Sequence, residues 1–257
     1  MISESKPAGL RVAAIYDIHG NLPALAAVLH DIRQAEVDHI IVGGDVLPGP
    51  MPRETLACLQ GLGIPSQLIQ GNGDREVLAH RGGAETGALP EEIRAVLRWT
   101  AQQLHPEHER WVAGWPATLR IGIRGLGEVL FCHATPRNDT EIFTRLTAED
   151  RVLSAFAGVD VPVVVCGHTH MQFDRMIGGI RVVNAGSVGM PFGEPGAYWL
   201  LLGPDVQLRH TPYDLKRAAE RIRGTQYPQA DDFAAHSVLQ PPSEREILER
   251  FSPVELR

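Results

Sequence analysis

Apolar residues along this chain fall into two rhythms. Short, mostly uninterrupted runs at residues 12–16, 40–42, 67–70, 128–131 and 163–166 have the length and composition of buried strands. Between the early runs, residues 22–35 repeat apolar positions at helical spacing, with Pro23 in the favoured first turn. Residues 53–62 read as a second helix, after a Pro-Gly-Pro-Met-Pro loop and before a Gly-Leu-Gly stop. This βαβαβ opening predicts a parallel sheet.

Residues 80–116 leave that rhythm. A Gly-rich loop leads into one helix near 90–104 and a shorter one near 107–112. The segment carries Trp99, Trp111 and Trp115, three of the four tryptophans. Two readings follow: a helical layer whose tryptophans fill core, or a cap over a site. From residue 117 strands dominate, with hairpin turns expected at 124–127, 178–179 and 203–205. One helix is expected at 148–157, with Thr147 and Asp150 spaced as a capping box. Residues 1–210 thus form one α/β domain. Residues 211–257, charged and broken by Pro228, Pro241 and Pro242, form a C-terminal appendage packed on it, with helices at 214–223 and 244–251.

Composition narrows the possibilities. The 257 residues are 44% hydrophobic and 21% charged, as in ordinary globular proteins. A formal net charge of -7 gives no basic footprint for nucleic acid or an anionic membrane. It leaves room for a small phosphorylated substrate, because metals can supply local positive charge. No apolar run approaches the roughly 20 residues of a membrane span, and residues 1–9 are polar. Cys58, Cys132 and Cys166 are odd in number and unclustered, so no disulfide framework is expected and a reducing cytoplasm fits.

The chemistry lies where the strand-like runs end. Asp17-Ile18-His19-Gly20-Asn21, Gly44-Asp45, Gly71-Asn72-Gly73-Asp74, Cys132-His133 and Gly167-His168-Thr169-His170 each sit beside glycine or at the close of an apolar run. Asp, Asn and His bind hard or borderline divalent metals. Side chains leaving strand ends on one side of a sheet converge however distant in sequence. Each motif alone is weak. Together they supply seven ligand groups, enough for two ions sharing a bridging carboxylate.

In this combination the chain resembles the calcineurin-like metallophosphoesterases over about residues 10–210, most closely their small bacterial and archaeal phosphodiesterase branch. The likeness extends to Gly44-Asp45-Val46 with Gly49-Pro50, to His133-Ala134-Thr135-Pro136-Arg137, and to Asn184-Ala185-Gly186-Ser187-Val188-Gly189. It implies a four-layer αββα sandwich of two mixed sheets flanked by helices. It also implies that Asp17, His19, Asp45 and His170 hold one metal, and that Asp45, Asn72, His133 and His168 hold the other. Asp45, Asn72 and His133 would then take part in catalysis. The ions could be manganese, iron, nickel, cobalt or zinc. A pair of them, roughly 3.5–4 Å apart, makes a bridging hydroxide that attacks phosphorus. The implied activity is phosphodiester hydrolysis. A phosphomonoesterase or nucleotide phosphatase and a non-catalytic scaffold are the alternatives.

Several neighbours carry open roles. Asn21 either orients a ligand, contacts phosphate or caps the following helix. Asp74 reads as a helix cap. Arg75 and Arg137 are phosphate contacts or solvated surface residues. Asn184 and Ser187 either support the ligands or simply turn the chain. Gly73 departs from the family, where this position is often His or Cys able to protonate the leaving group. His80, His105 and His108 are substitutes for that acid. The Asp-Arg pair that extends the Gly-Asp motif in Ser/Thr protein phosphatases and symmetrical dinucleoside-polyphosphatases is also missing after Asp45.

Overall fold

The computed structural model describes residues 9–83 and 89–256. The polar start at residues 1–8 and much of the Gly-rich loop, residues 84–88, lie outside them. In chain order the elements begin β1 (Val12–Ile15), α1 (Leu22–Gln34), β2 (His39–Val42), α2 (Pro52–Gln60), β3 (Ser66–Leu68) and α3 (Asn72–Arg81). Next come α4 (Glu91–Gln103), α5 (Pro106–Ala113), β4 (Thr118–Ile123), β5 (Gly127–Cys132), α6 (Glu149–Val152) and β6 (Val163–Cys166). Then follow β7 (Phe173–Ile177), β8 (Ile180–Asn184), β9 (Ala197–Leu202), β10 (Val206–Thr211), α7 (Leu215–Arg223), α8 (Ala230–Phe233) and α9 (Glu244–Phe251).

The strands form two five-stranded mixed sheets, ordered β10-β9-β1-β2-β3 and β4-β5-β6-β8-β7. Strand parity assigns each apolar residue to a layer. Val12, Ala14 and Tyr16 face the other sheet, whereas Ala13 and Ile15 face helices. Val163 and Val165 meet them across the seam, whereas Val164 and Cys166 turn outward. Both faces are therefore buried, which is why these runs lack polar alternation. Full burial contributes roughly 1.5–3 kcal/mol for each large aliphatic side chain. Cys132 and Cys166 behave as small outward-packing core residues.

Helices cover the outer face of the first sheet. Asn21 caps α1 by accepting from Ala24 N at 3.2 Å, and Ala24, Leu25, Val28, Leu29 and Ile32 form its buried stripe. Leu97, Ala101, Leu104, Val112 and Trp115 belong to the same apolar cluster. The α4–α5 segment thus contributes core to that layer. Trp199 of β9 donates from Nε1 to Thr211 Oγ1 at 3.0 Å, and Thr211 donates to Asp31 of α1 at 2.6 Å. The turns at 124–127, 178–179 and 203–205 join antiparallel neighbours, as their glycines predict.

The expected helix at 148–157 is corrected by the structure. It breaks into α6 and a 3₁₀ turn, Leu153–Phe156, and Ala148 starts it without a side-chain cap. Thr147 is engaged elsewhere: its hydroxyl accepts from Thr144 N at 2.8 Å. The Thr144 hydroxyl in turn donates to buried Glu255 at 2.8 Å. A tertiary hydrogen-bond network has outcompeted the local cap.

After β10 the chain packs α7, α8 and a π-helical turn, Ala234–Leu239, against Met51 and Val96 in the first helical layer. It then crosses to the second sheet. Pro242 O accepts from Gly193 N at 2.9 Å, Glu244 pairs with Arg145 at 2.8 Å, and Leu256 N donates to Ile142 O at 3.0 Å. Among the described residues no helix is long and apolar enough to cross a membrane.

The Trp199–Thr211–Asp31 chain generates a stability prediction. Thr211→Val keeps the volume but leaves the buried indole N–H without an acceptor. It should cost about 1–3 kcal/mol, read in denaturant titration as a lower midpoint at unchanged slope. An unchanged midpoint would show that the hydroxyl contributes nothing.

Candidate metal centre

The chain ends of β1, β2, β5 and β6 and the start of α3 meet at one end of the sheet seam. Asp17, His19 and His170 form one group there, and Asp45, His133 and His168 a second. Within each, the ligand atoms lie within 4.8 Å of one another. His19 Nε2 is 3.2 Å from His170 Nε2. Asp45 Oδ2 lies between the groups, 3.7 Å from His19 Nε2 and 3.5 Å from His133 Nε2. Asp17 Oδ1 is 3.3 Å from His170 Nε2 and 3.8 Å from His133 Nε2. Asn72 joins the second group through its 3.1 Å contact with His133 Nε2.

The backbone is bent sharply to bring these side chains together. Asp17, His19, Asp45, His168 and His170 all have positive φ, between 46° and 66°. Among the described non-glycine residues only Glu36 shares this conformation. Each such residue costs about 1–3 kcal/mol, a cost that persists where surrounding structure enforces it. Glycines permit the close approach. A Cβ at Gly71 would run into the Asp45 carboxylate, and one at Gly73 would lie 2.5 Å from Leu47 O.

An outer layer of hydrogen bonds aims the ligands. His133 Nδ1 meets Gly43 O at 2.9 Å and His170 Nδ1 meets Met190 O at 2.7 Å, leaving each Nε2 toward the centre. Asp17 Oδ2 accepts from His168 N at 2.9 Å, and Asp45 Oδ1 from Gly73 N at 2.7 Å. Asn184 donates to Gly167 O at 2.6 Å, and Ser187 donates to Asp17 O at 2.8 Å. Both residues therefore steady ligand-bearing loops. Asp74 accepts from Gly71 N at 3.0 Å and from Leu47 N at 2.9 Å, binding the start of α3 to the Asp45 loop. Burial, then the nearby Asp45 carboxylate, push its pKa up to about 8 against those two donors.

The electrostatics favour added positive charge. Burial opposes ionisation of Asp17, but His170 and His133 outweigh it and hold the pKa below the usual carboxylate value. Asp45 is lowered in the same way by His133, His19 and His168. Burial disfavours a charged His133, yet Asp45 and Asp17 lift its pKa to about 10. His168, depressed by burial and by His133, falls to about 4.

The donor set fits divalent cations. Asp17 Oδ1 is buried and has no hydrogen-bond partner among the described residues, although a donor is normally required for such an atom. Asn72 makes the same point. Turned over, its amide nitrogen would lie 3.1 Å from His133 Nε2, 3.0 Å from His168 Nδ1 and 3.1 Å from Asp139 O, three acceptors for two hydrogens. With the oxygen inward, it faces those ring nitrogens as a cation ligand does.

The chain matches the calcineurin-like phosphoesterase superfamily domain over residues 10–203. It belongs to that superfamily. An uncharacterised protein of Methanocaldococcus jannaschii, MJ0912, is 28% identical over 239 residues, covering 85% of this chain and 94% of that protein. The crystal structure of hypothetical protein PH1004 from Pyrococcus horikoshii OT3 superposes with a TM-score of 0.77 at 22% identity, covering 91% of this chain and 99% of the other. A metallophosphoesterase from Sphaerobacter thermophilus gives 0.69 at 26% identity, covering 90% and 100%.

All seven candidate ligand side chains read from sequence lie together. The flanking residues divide. Asn21 caps α1 and donates to Gly189 O at 2.9 Å. Arg75 forms a two-pronged pair with Asp139 at 2.7 and 2.9 Å. Arg137 pairs with Glu141 at 2.7 Å and donates to Ser154 O at 3.1 Å. His108 Nδ1 accepts from His105 N at 3.3 Å where α5 begins. Three further residues beside the centre were missed. Glu76, one turn beyond Asn72 on α3, is half-buried; burial raises its pKa, while Arg75 and the Asn72 amide oppose the shift. An i, i+4 count from Asn72 finds it. Phe192 stacks on His170 with ring centroids 5.5 Å apart, and Phe251 of α9 meets Phe192 edge-on at 6.4 Å. No sequence signal links those rings.

The close approach at Gly73 generates the second prediction. Gly73→Ala forces the Leu47 carbonyl and the Asp45 loop apart, at a cost of about 1–3 kcal/mol by overpacking. Thermal unfolding should shift down and bound metal should fall together. A neutral substitution would show that the loop yields freely, and Gly73→His would then become a usable way to install an acid.

Proposed function

We propose that this protein is a dinuclear metal-dependent phosphodiesterase. The carrying observation is the pair of ligand groups that meet with Asp45 Oδ2 in reach of a histidine from each. Asp17, His19, Asp45 and His170 would hold one ion, and Asp45, Asn72, His133 and His168 the other. When bound, such a pair activates water near neutral pH and adds Lewis-acid charge beside the phosphoryl group. Manganese, iron, nickel, cobalt and zinc all suit mixed nitrogen and oxygen donors.

The chain's own residues supply the rest. Asp45, with one oxygen fixed by Gly73 N, holds the two halves of the centre in register. Asn72 contributes a neutral oxygen, so the second half keeps more positive charge than a third carboxylate would allow. His133, locked by Gly43 O, presents one ring nitrogen in a fixed direction. A diester is favoured over a monoester because a pocket of about 280 Å³ opens directly beside His133 and leaves room for a second ester substituent. Cys58, Cys132 and Cys166 are all free, which supports a reducing compartment and hence the cytoplasm.

Purified protein should carry two transition ions per chain by elemental analysis, and chelation should abolish hydrolysis of bis(4-nitrophenyl) phosphate. Asp45→Ala should lower the content of both ions. One firmly bound ion in an active enzyme would sink the dinuclear reading. Faster turnover of 4-nitrophenyl phosphate than of its diester would shift the assignment to a monoesterase.

Gly73 has no side chain to protonate a leaving group, and such assistance is typically worth about 10²–10⁴-fold. Rates across a series of aryl and alkyl esters should therefore fall steeply as leaving-group pKa rises. A shallow dependence, with chemistry limiting, would reveal another acid.

A further inference from the structure

The pocket beside His133 has a composition that selects among substituents. It lies between Gln70 in the loop after β3, the first turn of α3, the start of β4 and the loop after β5. Two guanidiniums, Arg75 and Arg137, line it, and each is already neutralised. Arg75 uses Nε and Nη2 on the Asp139 carboxylate. Arg137 spends Nε and Nη2 on Glu141 and Nη1 on Ser154. The pocket therefore offers no uncompensated positive charge to a second phosphate. With both cations paired, a second phosphate would have to displace Asp139 or Glu141.

What remains is neutral hydrogen-bonding capacity. Asn138 spends its amide oxygen on Thr140 N at 2.7 Å and Thr140 Oγ1 at 2.8 Å, which leaves the amide N–H₂ unused among the described residues. Gln70 donates to Val112 O at 3.1 Å, which leaves its carbonyl oxygen. Thr118 also lines the pocket, and its hydroxyl can both donate and accept. At about 280 Å³ the space is just below the range of drug-sized ligand pockets, roughly 300 to 1,000 Å³, and so suits a small substituent.

We propose that this pocket holds the alcohol that stays on phosphorus, and that this alcohol is a small uncharged polyol of glycerol-to-pentose size. The inference rests on the phosphodiesterase reading. Hydrolysis forms a P–O bond to water oxygen and breaks the P–O bond to the other substituent, whose oxygen leaves as the anion or takes a proton from that water. The polyol remains esterified, and the product is a polyol phosphate. A polyol is the retained half because its alkoxide is a poor leaving group and Gly73 supplies no acid.

The test holds the leaving group constant. A series of 4-nitrophenyl phosphodiesters is compared in which the other alcohol is methyl, glyceryl, pentosyl or phosphorylated glyceryl. Two or more net hydrogen bonds should raise kcat/KM for the glyceryl and pentosyl esters about tenfold or more over methyl. The phosphorylated ester should be slower than the glyceryl one. Thr118→Val and Asn138→Ala should each cut the glyceryl-to-methyl ratio about threefold or more, with the methyl ester as internal control for folding. Glycerol 3-phosphate should also bind more tightly than methyl phosphate by calorimetry. Equal rates for methyl and glyceryl esters, or a preference for the phosphorylated one, would overturn the proposal while leaving the phosphodiesterase reading intact. Hydrolysis of 4-nitrophenyl phosphate with no diester turned over would overturn both.

Discussion

Two carboxylates buried at the seam between two sheets set the terms for the rest of this molecule. Asp17 is fully buried and Asp45 is 4% exposed. An ionised carboxylate in such a place is expensive unless paired and hydrogen-bonded. The chain answers with backbone donors from His168 and Gly73, four imidazoles, and bends tight enough to bring all of them within a few ångströms. The glycines beside each ligand, and the loops that Asn184, Ser187 and Asp74 pin down, serve that same requirement.

The centre is also a joint. Asp17, His19, Asp45 and Asn72 follow strands of one sheet, whereas His133, His168 and His170 follow strands of the other. Neither sheet alone carries either candidate group in full. The apolar seam formed by Tyr16, Ile41, Phe131, Val165 and their neighbours therefore sets the spacing of the ligands as much as the ligands' own loops do. The C-terminal segment adds a brace. Phe251 supports Phe192, Phe192 lies on His170, and the chain beyond it fastens to the outer layer of the second sheet.

Much of this was legible in residues 12–16, 40–42 and 163–166, because strands buried on both faces must be apolar throughout. The clustering of the candidate ligands was legible because Asp, Asn and His recur together at the ends of such runs, although each motif alone is weak. Sequence said less where tertiary contacts overrule local preference. Thr147 has the spacing of a cap and is claimed instead by Thr144 and the distant Glu255. Asp74 reads as the cap of a helix, whereas α3 starts two residues earlier, at Asn72, where Gly71 and Gly73 permit close approach to Asp45 and Leu47. The π-helical turn at Ala234–Leu239 has no local signature at all. Arg75 and Arg137 read as free cations only until their partners, Asp139 and Glu141, come into view.

The left-handed bends at five candidate ligand positions carry an evolutionary consequence. Outside glycine, the residues that accept this conformation most readily are Asn, Asp and His. The same three are the ligands of hard and borderline metals. The backbone thus filters the alphabet before metal chemistry does. A drift toward cysteine or glutamate at Asp17, His19, Asp45, His168 or His170 meets a conformational barrier as well as a change of donor.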